Sequence, residues 1–107
     1  MAELEDLQRR ARAVNDIYVE TFGLEQDAFM LLGKMTEEMG EVMGAYLQMA
    51  GRARGADGAP EVLKAAFEDE MADLFGFLLA FADTQGVDLA AAFDKKWGKY
   101  LEPAHDH

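Results

Sequence analysis

Apolar residues recur at alternating spacings of three and four along most of this chain, the interval that puts side chains on one face of an α-helix. Leu4, Leu7, Ala11, Val14, Tyr18 and Thr21 follow it and predict helix 1 over residues 3–21, with Gly23 suited to a left-handed cap. Helix 2 is predicted from about Glu25 to Met49, on an arc of Phe29, Leu32, Met35, Met39, Val42, Met43 and Tyr46. The glycine-rich stretch 51–59 interrupts the pattern, and the loop over 49–60 is expected to be mobile. Pro60 suits the first turn of helix 3, which is predicted to run to about Gln85 and to stop at Gly86. Asp88 then caps a short helix 4 carrying Leu89, Ala92, Phe93, Trp97 and Tyr100. No segment alternates with the period of a strand, and residues 102–107 are expected to fray. These elements predict an all-α fold: one domain over 1–107, built as an antiparallel bundle of four helices.

Helix 3 departs from the one-sided pattern of the others. From Met71 to Ala82, ten of twelve positions are apolar and the single charge is Asp73. A helix apolar nearly all round has to be covered on every side. Three further helices, one of them short, do not suffice, so a second copy is expected to complete the bundle as a homodimer or a dimer of dimers.

Composition narrows the chemistry. The 107 residues are 50% hydrophobic, a globular proportion for one core. The absence of cysteine excludes a disulfide frame, a zinc ribbon and a thiol nucleophile. The net charge of −11 repels a phosphate backbone, so no nucleic-acid partner is expected. The longest unbroken apolar run, Phe77–Ala82, is far short of a membrane span. Met-Ala-Glu-Leu-Glu-Asp at the N-terminus lacks the apolar core of a secretory signal, and a cytoplasmic location is expected.

The acidic residues of helices 2 and 3 change the picture further. Glu38 and Glu41 lie three apart at the edge of the helix 2 arc, and Glu70 and Asp73 lie three apart on helix 3, on the stripe that continues through Phe77. If the two helices pack antiparallel, four carboxylates converge at one level. Ionised carboxylates crowded together and partly buried raise one another's pKa and need a partner. A hard divalent cation with oxygen ligands supplies it, and Mg²⁺, with Mn²⁺ as a substitute, suits an all-carboxylate site that retains water. Di-iron is the weaker choice, because carboxylate-bridged iron bundles pair Glu with a helical His. Here the only histidines, His105 and His107, sit in the tail.

Glu37-Glu38-x-x-Glu41, then 28 residues, then Glu70-x-x-Asp73 resembles the signature of the all-α nucleoside triphosphate pyrophosphohydrolases, the MazG-like group. The likeness extends through Gly86-Val-Asp-Leu89 to the Lys96 region and covers most of residues 30–100. It implies Mg²⁺-dependent cleavage of a (deoxy)nucleoside triphosphate between its α- and β-phosphates, in the removal of non-canonical or excess nucleotides. It also implies metal ligation by Glu38, Glu41, Glu70 and Asp73, with Glu37 orienting or deprotonating the attacking water. Lys96 stands where the family often has a lysine and Lys34 beside the metal face, which makes both candidate phosphate contacts. Against this, each can serve in a surface ion pair, Lys34 with Glu38 and Lys96 with Asp94 or the tail. Phe77, one turn past Asp73, is a candidate for stacking on the base, although aromatic residues there are more often core. Tyr100 stands where family members often have Asn, which bears on base preference and not on the metal.

Three weaker features complete the reading. Gly33, Gly40 and Gly44 line up within about 40° on helix 2, which predicts close approach of another helix or, less favoured, room for a ligand. Arg52 and Arg54 are read as solvated loop residues rather than a lid, and Gln48 and Asn15 as minor candidates for reading a base. Two rival functions remain: phosphoribosyl-ATP pyrophosphohydrolase, which shares the carboxylate plan, and a non-catalytic acidic bundle that binds a partner protein.

Overall fold

The computed structural model describes residues 2–23 and 27–101. Among them the chain forms four α-helices, α1 (Ala2–Phe22), α2 (Ala28–Met49), α3 (Pro60–Thr84) and α4 (Leu89–Lys96), followed by a 3₁₀ turn at Gly98–Leu101 and no strands. The expected all-α class is therefore what the chain adopts. The expected fraying of 102–107 and the two tail histidines lie outside the described residues.

Two helix boundaries differ from the sequence reading. Helix 2 begins at Ala28 and not near Glu25, a residue outside the described set. Asp27 is extended (φ −88°, ψ −174°) and its side chain accepts the Met30 N–H at 3.0 Å. A short acceptor at that position satisfies one of the orphan donors of the first turn, so the helix starts immediately after it. Helix 4 ends at Lys96, leaving Trp97 as its C-cap and Tyr100 in the 3₁₀ turn, whereas a helix reaching Tyr100 was expected. At Gly98 a Cβ would fall 2.8 Å from Asp94 Oδ1, a contact that rotation of the Asp94 side chain relieves. Gly23 and Gly86 have φ of +63° and +67°, the left-handed conformation expected where helices 1 and 3 stop.

The chain divides into two units, residues 25–78 and residues 1–24 with 79–107. In the first, α2 and α3 run antiparallel. Lys34 meets Phe77, Glu38 meets Asp73, and Tyr46 meets Phe67 with ring centroids 5.8 Å apart, so residue numbers fall along α3 as they rise along α2. The connection between them is a series of turns: the Arg52 N–H donates to the Leu47 carbonyl at 2.8 Å, and Gln48 Nε2 donates to the Arg54 carbonyl at 2.9 Å. Gln48, a minor candidate for reading a base, is thus engaged in holding this loop. A Cβ placed on Gly33, Gly40 or Gly44 meets nothing within 4 Å, so the close helix approach expected along that stripe is not made among the described residues.

The second unit is held by a residue that the periodicity does not mark. Gln8 on α1 is buried at 4% exposure. Its Nε2 donates to the Val87 carbonyl at 2.7 Å, and its Oε1 accepts the Leu89 N–H at 3.0 Å. Leu89 is the first residue of α4 and its N–H has no partner within that helix. Asp88 completes the cap by accepting the Ala91 N–H at 3.1 Å, and that bond holds its carboxyl below the ordinary range. Arg12 on the same helix reaches Asp83 at 3.4 Å. Replacing Gln8 with Leu leaves a carbonyl and an amide sheltered and unpaired, so Gln8→Leu is expected to cost about 1–3 kcal/mol, read as a lowered midpoint in denaturant unfolding.

Buried apolar residues are few among those described: Leu31 and Val42 on α2, Leu79, Ala80 and Ala82 on α3, and Ala90 on α4. Many large ones stay exposed, including Val14, Ile17 and Phe22 on α1, Phe29 and Tyr46 on α2, and Met71 and Phe75 on α3. No single helix among the described residues is long and apolar enough to cross a membrane.

Candidate metal centre

The antiparallel hairpin of α2 and α3 brings together three of the four carboxylates that the sequence singled out. One oxygen from each of Glu38, Glu70 and Asp73 lies within 4.8 Å of the other two. Glu38 and Glu70 are half-buried and Asp73 is exposed. The i,i+3 spacing puts Glu70 and Asp73 one turn apart on α3, and the antiparallel register sets Glu38 opposite them. Glu41, one turn beyond Glu38, is not among the three, yet its charge reaches Glu70.

Electrostatics register the crowding. Glu38 is raised above its ordinary pKa of 4.5, first by partial removal from water and next by the Asp73 charge. Lys34 opposes that rise, while Glu70 and Glu37 add to it. Glu70 is raised in the same way, by partial removal from water and then by Glu41, Asp73 and Asp69. Carboxylates that make each other harder to ionise are held in register at a cost, and a divalent cation among them reverses its sign. All the donors are oxygens, and no His or Cys takes part. Such a set suits a hard cation that keeps several waters, so the residues present fit the expected metal.

The remaining candidates fall in different places. Glu37, the doublet's first member, is exposed on α2 and accepts a hydrogen bond from Lys34 Nζ at 2.6 Å. As a surface ion pair Lys34 was expected to meet Glu38; it pairs with Glu37 at 2.6 Å, and its charge also acts on Glu38. Its ammonium also lies 5.7 Å from the centroid of the Phe77 ring. Phe77, proposed for base stacking, is half-buried and serves here as the platform of a cation–π contact. Lys96, exposed in the last turn of α4, belongs to the other unit, as does half-buried Asn15 on α1.

An all-α chain whose helical hairpin presents convergent carboxylates belongs to a recognisable class. The model of the phosphoribosyl-ATP pyrophosphohydrolase family matches residues 2–95. The chain belongs to that family, which falls within the MazG-like all-α superfamily, and is accordingly grouped with hydrolases of phosphoanhydride bonds. Among curated proteins and among solved structures, nothing matches it.

Proposed function

We propose that this protein is a Mg²⁺-dependent nucleotide pyrophosphohydrolase that cleaves a (d)NTP to its monophosphate and pyrophosphate, removing non-canonical or excess nucleotides in the cytoplasm. The observation that carries the reading is the convergence of Glu38, Glu70 and Asp73 within 4.8 Å across two helices, in a chain of this family. Glu38, Glu41, Glu70 and Asp73 would hold the cation, which would neutralise phosphate charge that a chain of net charge −11 otherwise repels and acidify a bound water. Glu37 beside the cluster orients the attacking water or takes its proton. Positioning and charge stabilisation suffice for the transfer, and no covalent intermediate is required.

Phosphoribosyl-ATP is the second substrate reading, favoured by the name of the matching family. A panel of canonical and modified nucleoside triphosphates beside phosphoribosyl-ATP, each with Mg²⁺ and followed by released pyrophosphate, separates the two. Turnover of the triphosphates at the higher kcat/KM upholds the first reading; turnover of phosphoribosyl-ATP alone replaces it with the second.

We also propose a homodimer or dimer of dimers as the working form. Met71 and Phe75 on α3 stay 49% and 45% exposed in the single chain, and large apolar residues of α1 and α2 are exposed as well. Apolar surface distributed along whole helices calls for a partner, and a two-fold axis lets the same patch on a second copy cover it. Light scattering at micromolar concentration is expected to give at least twice the chain mass of 11.9 kDa.

A further inference from the structure

We infer that Lys34 is a positioning residue that holds Glu37 in place, a role that rests on the carboxylate site being that of a pyrophosphohydrolase. A lysine–glutamate pair on one helix is ordinarily loose, because both side chains are long and water screens the attraction. Lys34 is constrained from a second side. Its Nζ lies 2.6 Å from Glu37 Oε1 on its own helix and 5.7 Å from the centre of the Phe77 ring on α3. The negative face of an aromatic ring attracts an ammonium and limits where it rests. The side chains differ in exposure, 32% for Lys34 and 62% for Glu37. The lysine is thus the sheltered, fixed member and the carboxylate the one that water reaches.

That asymmetry suits a carboxylate that must meet a water molecule in a set orientation. Glu37 sits on the exposed side of α2, next in the chain to Glu38, on which its charge acts. Lys34 supplies the cation that holds it, at 2.6 Å. Phe77, in turn, keeps Lys34 on the Glu37 side. The α3 ring therefore reaches the chemistry through two intermediaries, whether or not it also touches a base.

The test is a double-mutant cycle read as separate kcat and KM. Lys34→Met keeps the aliphatic stem and the helix propensity, with an unchanged circular-dichroism spectrum as the check on folding. It is expected to lower kcat by about tenfold to a hundredfold, the scale of a misplaced reacting group, with KM nearly unchanged. Lys34→Arg retains the charge and the contact with Phe77, and it is expected to restore most of kcat. In a Glu37→Gln background, Lys34→Met is expected to add no further loss, since the group it acts through is gone. A rise in KM at constant kcat, or effects of the two substitutions that multiply, overturns the inference and makes Lys34 a direct contact to the substrate. A second readout needs no turnover: the ring current of Phe77 is expected to shift the Lys34 ε-methylene protons upfield in the wild-type protein and not in Phe77→Leu. Absence of that shift also overturns the inference. If no nucleotide is cleaved with Mg²⁺, the pyrophosphohydrolase reading itself falls and takes this role with it; if nucleotides are cleaved but the cycle is additive, only the role of Lys34 falls.

Discussion

Glu38→Gln is expected to abolish pyrophosphate release while leaving the metal-free protein at least as stable as the wild type. The two halves of that result have one cause. Glu38 faces Asp73 and Glu70 across the hairpin and is partly withdrawn from water, so its ionised form is disfavoured in the folded chain. The amide is similar in shape and carries no charge, which relieves repulsion within the cluster. It is also a much poorer partner for a hard cation. Loss of outer-shell support alone costs metal sites ten- to a hundredfold, and loss of a ligand is expected to cost more than about a hundredfold in turnover. Two measurements decide it: pyrophosphate released at saturating Mg²⁺, and the melting temperature in chelator. Full turnover in the variant removes Glu38 from the ligand set. A lower melting temperature shows instead that the carboxylate is a structural ion-pair partner.

Magnesium is expected to raise the melting temperature of the wild-type protein strongly near pH 7.5 and progressively less on acidification. The sign follows from the two raised carboxyls. Glu38 and Glu70 bind their protons more tightly in the folded chain than at the ordinary pKa of 4.5. Their share of stability is therefore fully present below about 4.5 and is lost as pH rises through the elevated folded values. At neutral pH the metal-free hairpin bears that loss, and a cation held by the ionised groups recovers it. At a hundred times its dissociation constant, a ligand of the folded state adds about 2.7 kcal/mol. For a chain of this length that is a shift on the order of 10 °C. Protonation below the elevated values removes the binding and the shift together. Asp73→Asn is expected to suppress the response at every pH. A shift of equal size in that variant means that magnesium binds elsewhere.

Much of this arrangement was legible beforehand because it is written in local spacings. Asp88 reads as a cap from its place before an apolar run, and its carboxylate does accept the Ala91 N–H. Gly23 and Gly86 read as helix stops and adopt positive φ. The two acidic pairs read as one cluster once an antiparallel hairpin was supposed, and three of the four members meet. What escaped has a physical reason in each case. Glu37 and Glu38 lie three and four residues after Lys34, both within reach on a helix, so spacing alone does not single out the Glu37 contact. Trp97 and Tyr100 keep an interval that a 3₁₀ turn satisfies almost as well as an α-helix, which conceals the end of α4 at Lys96. Gln8 had no signature at all. It is one polar residue on an amphipathic helix, and its partners Val87 and Leu89 lie 79 and 81 positions away. The glycine stripe predicted a neighbouring helix or room for a ligand, and among the described residues of one chain it faces open space.

The distance spanned by Gln8 has a consequence for the order in which the molecule assembles during synthesis. The hairpin of α2 and α3 draws on one uninterrupted stretch, residues 25–78, and pays loop-closure entropy only across a short connection. The other unit joins α1 to residues that follow the hairpin in the chain, so α1 is synthesised before its binding partners. Until Leu89 has emerged, the Gln8 amide has nothing to grip and the apolar side of α1 stays bare to chaperones and to neighbouring nascent chains.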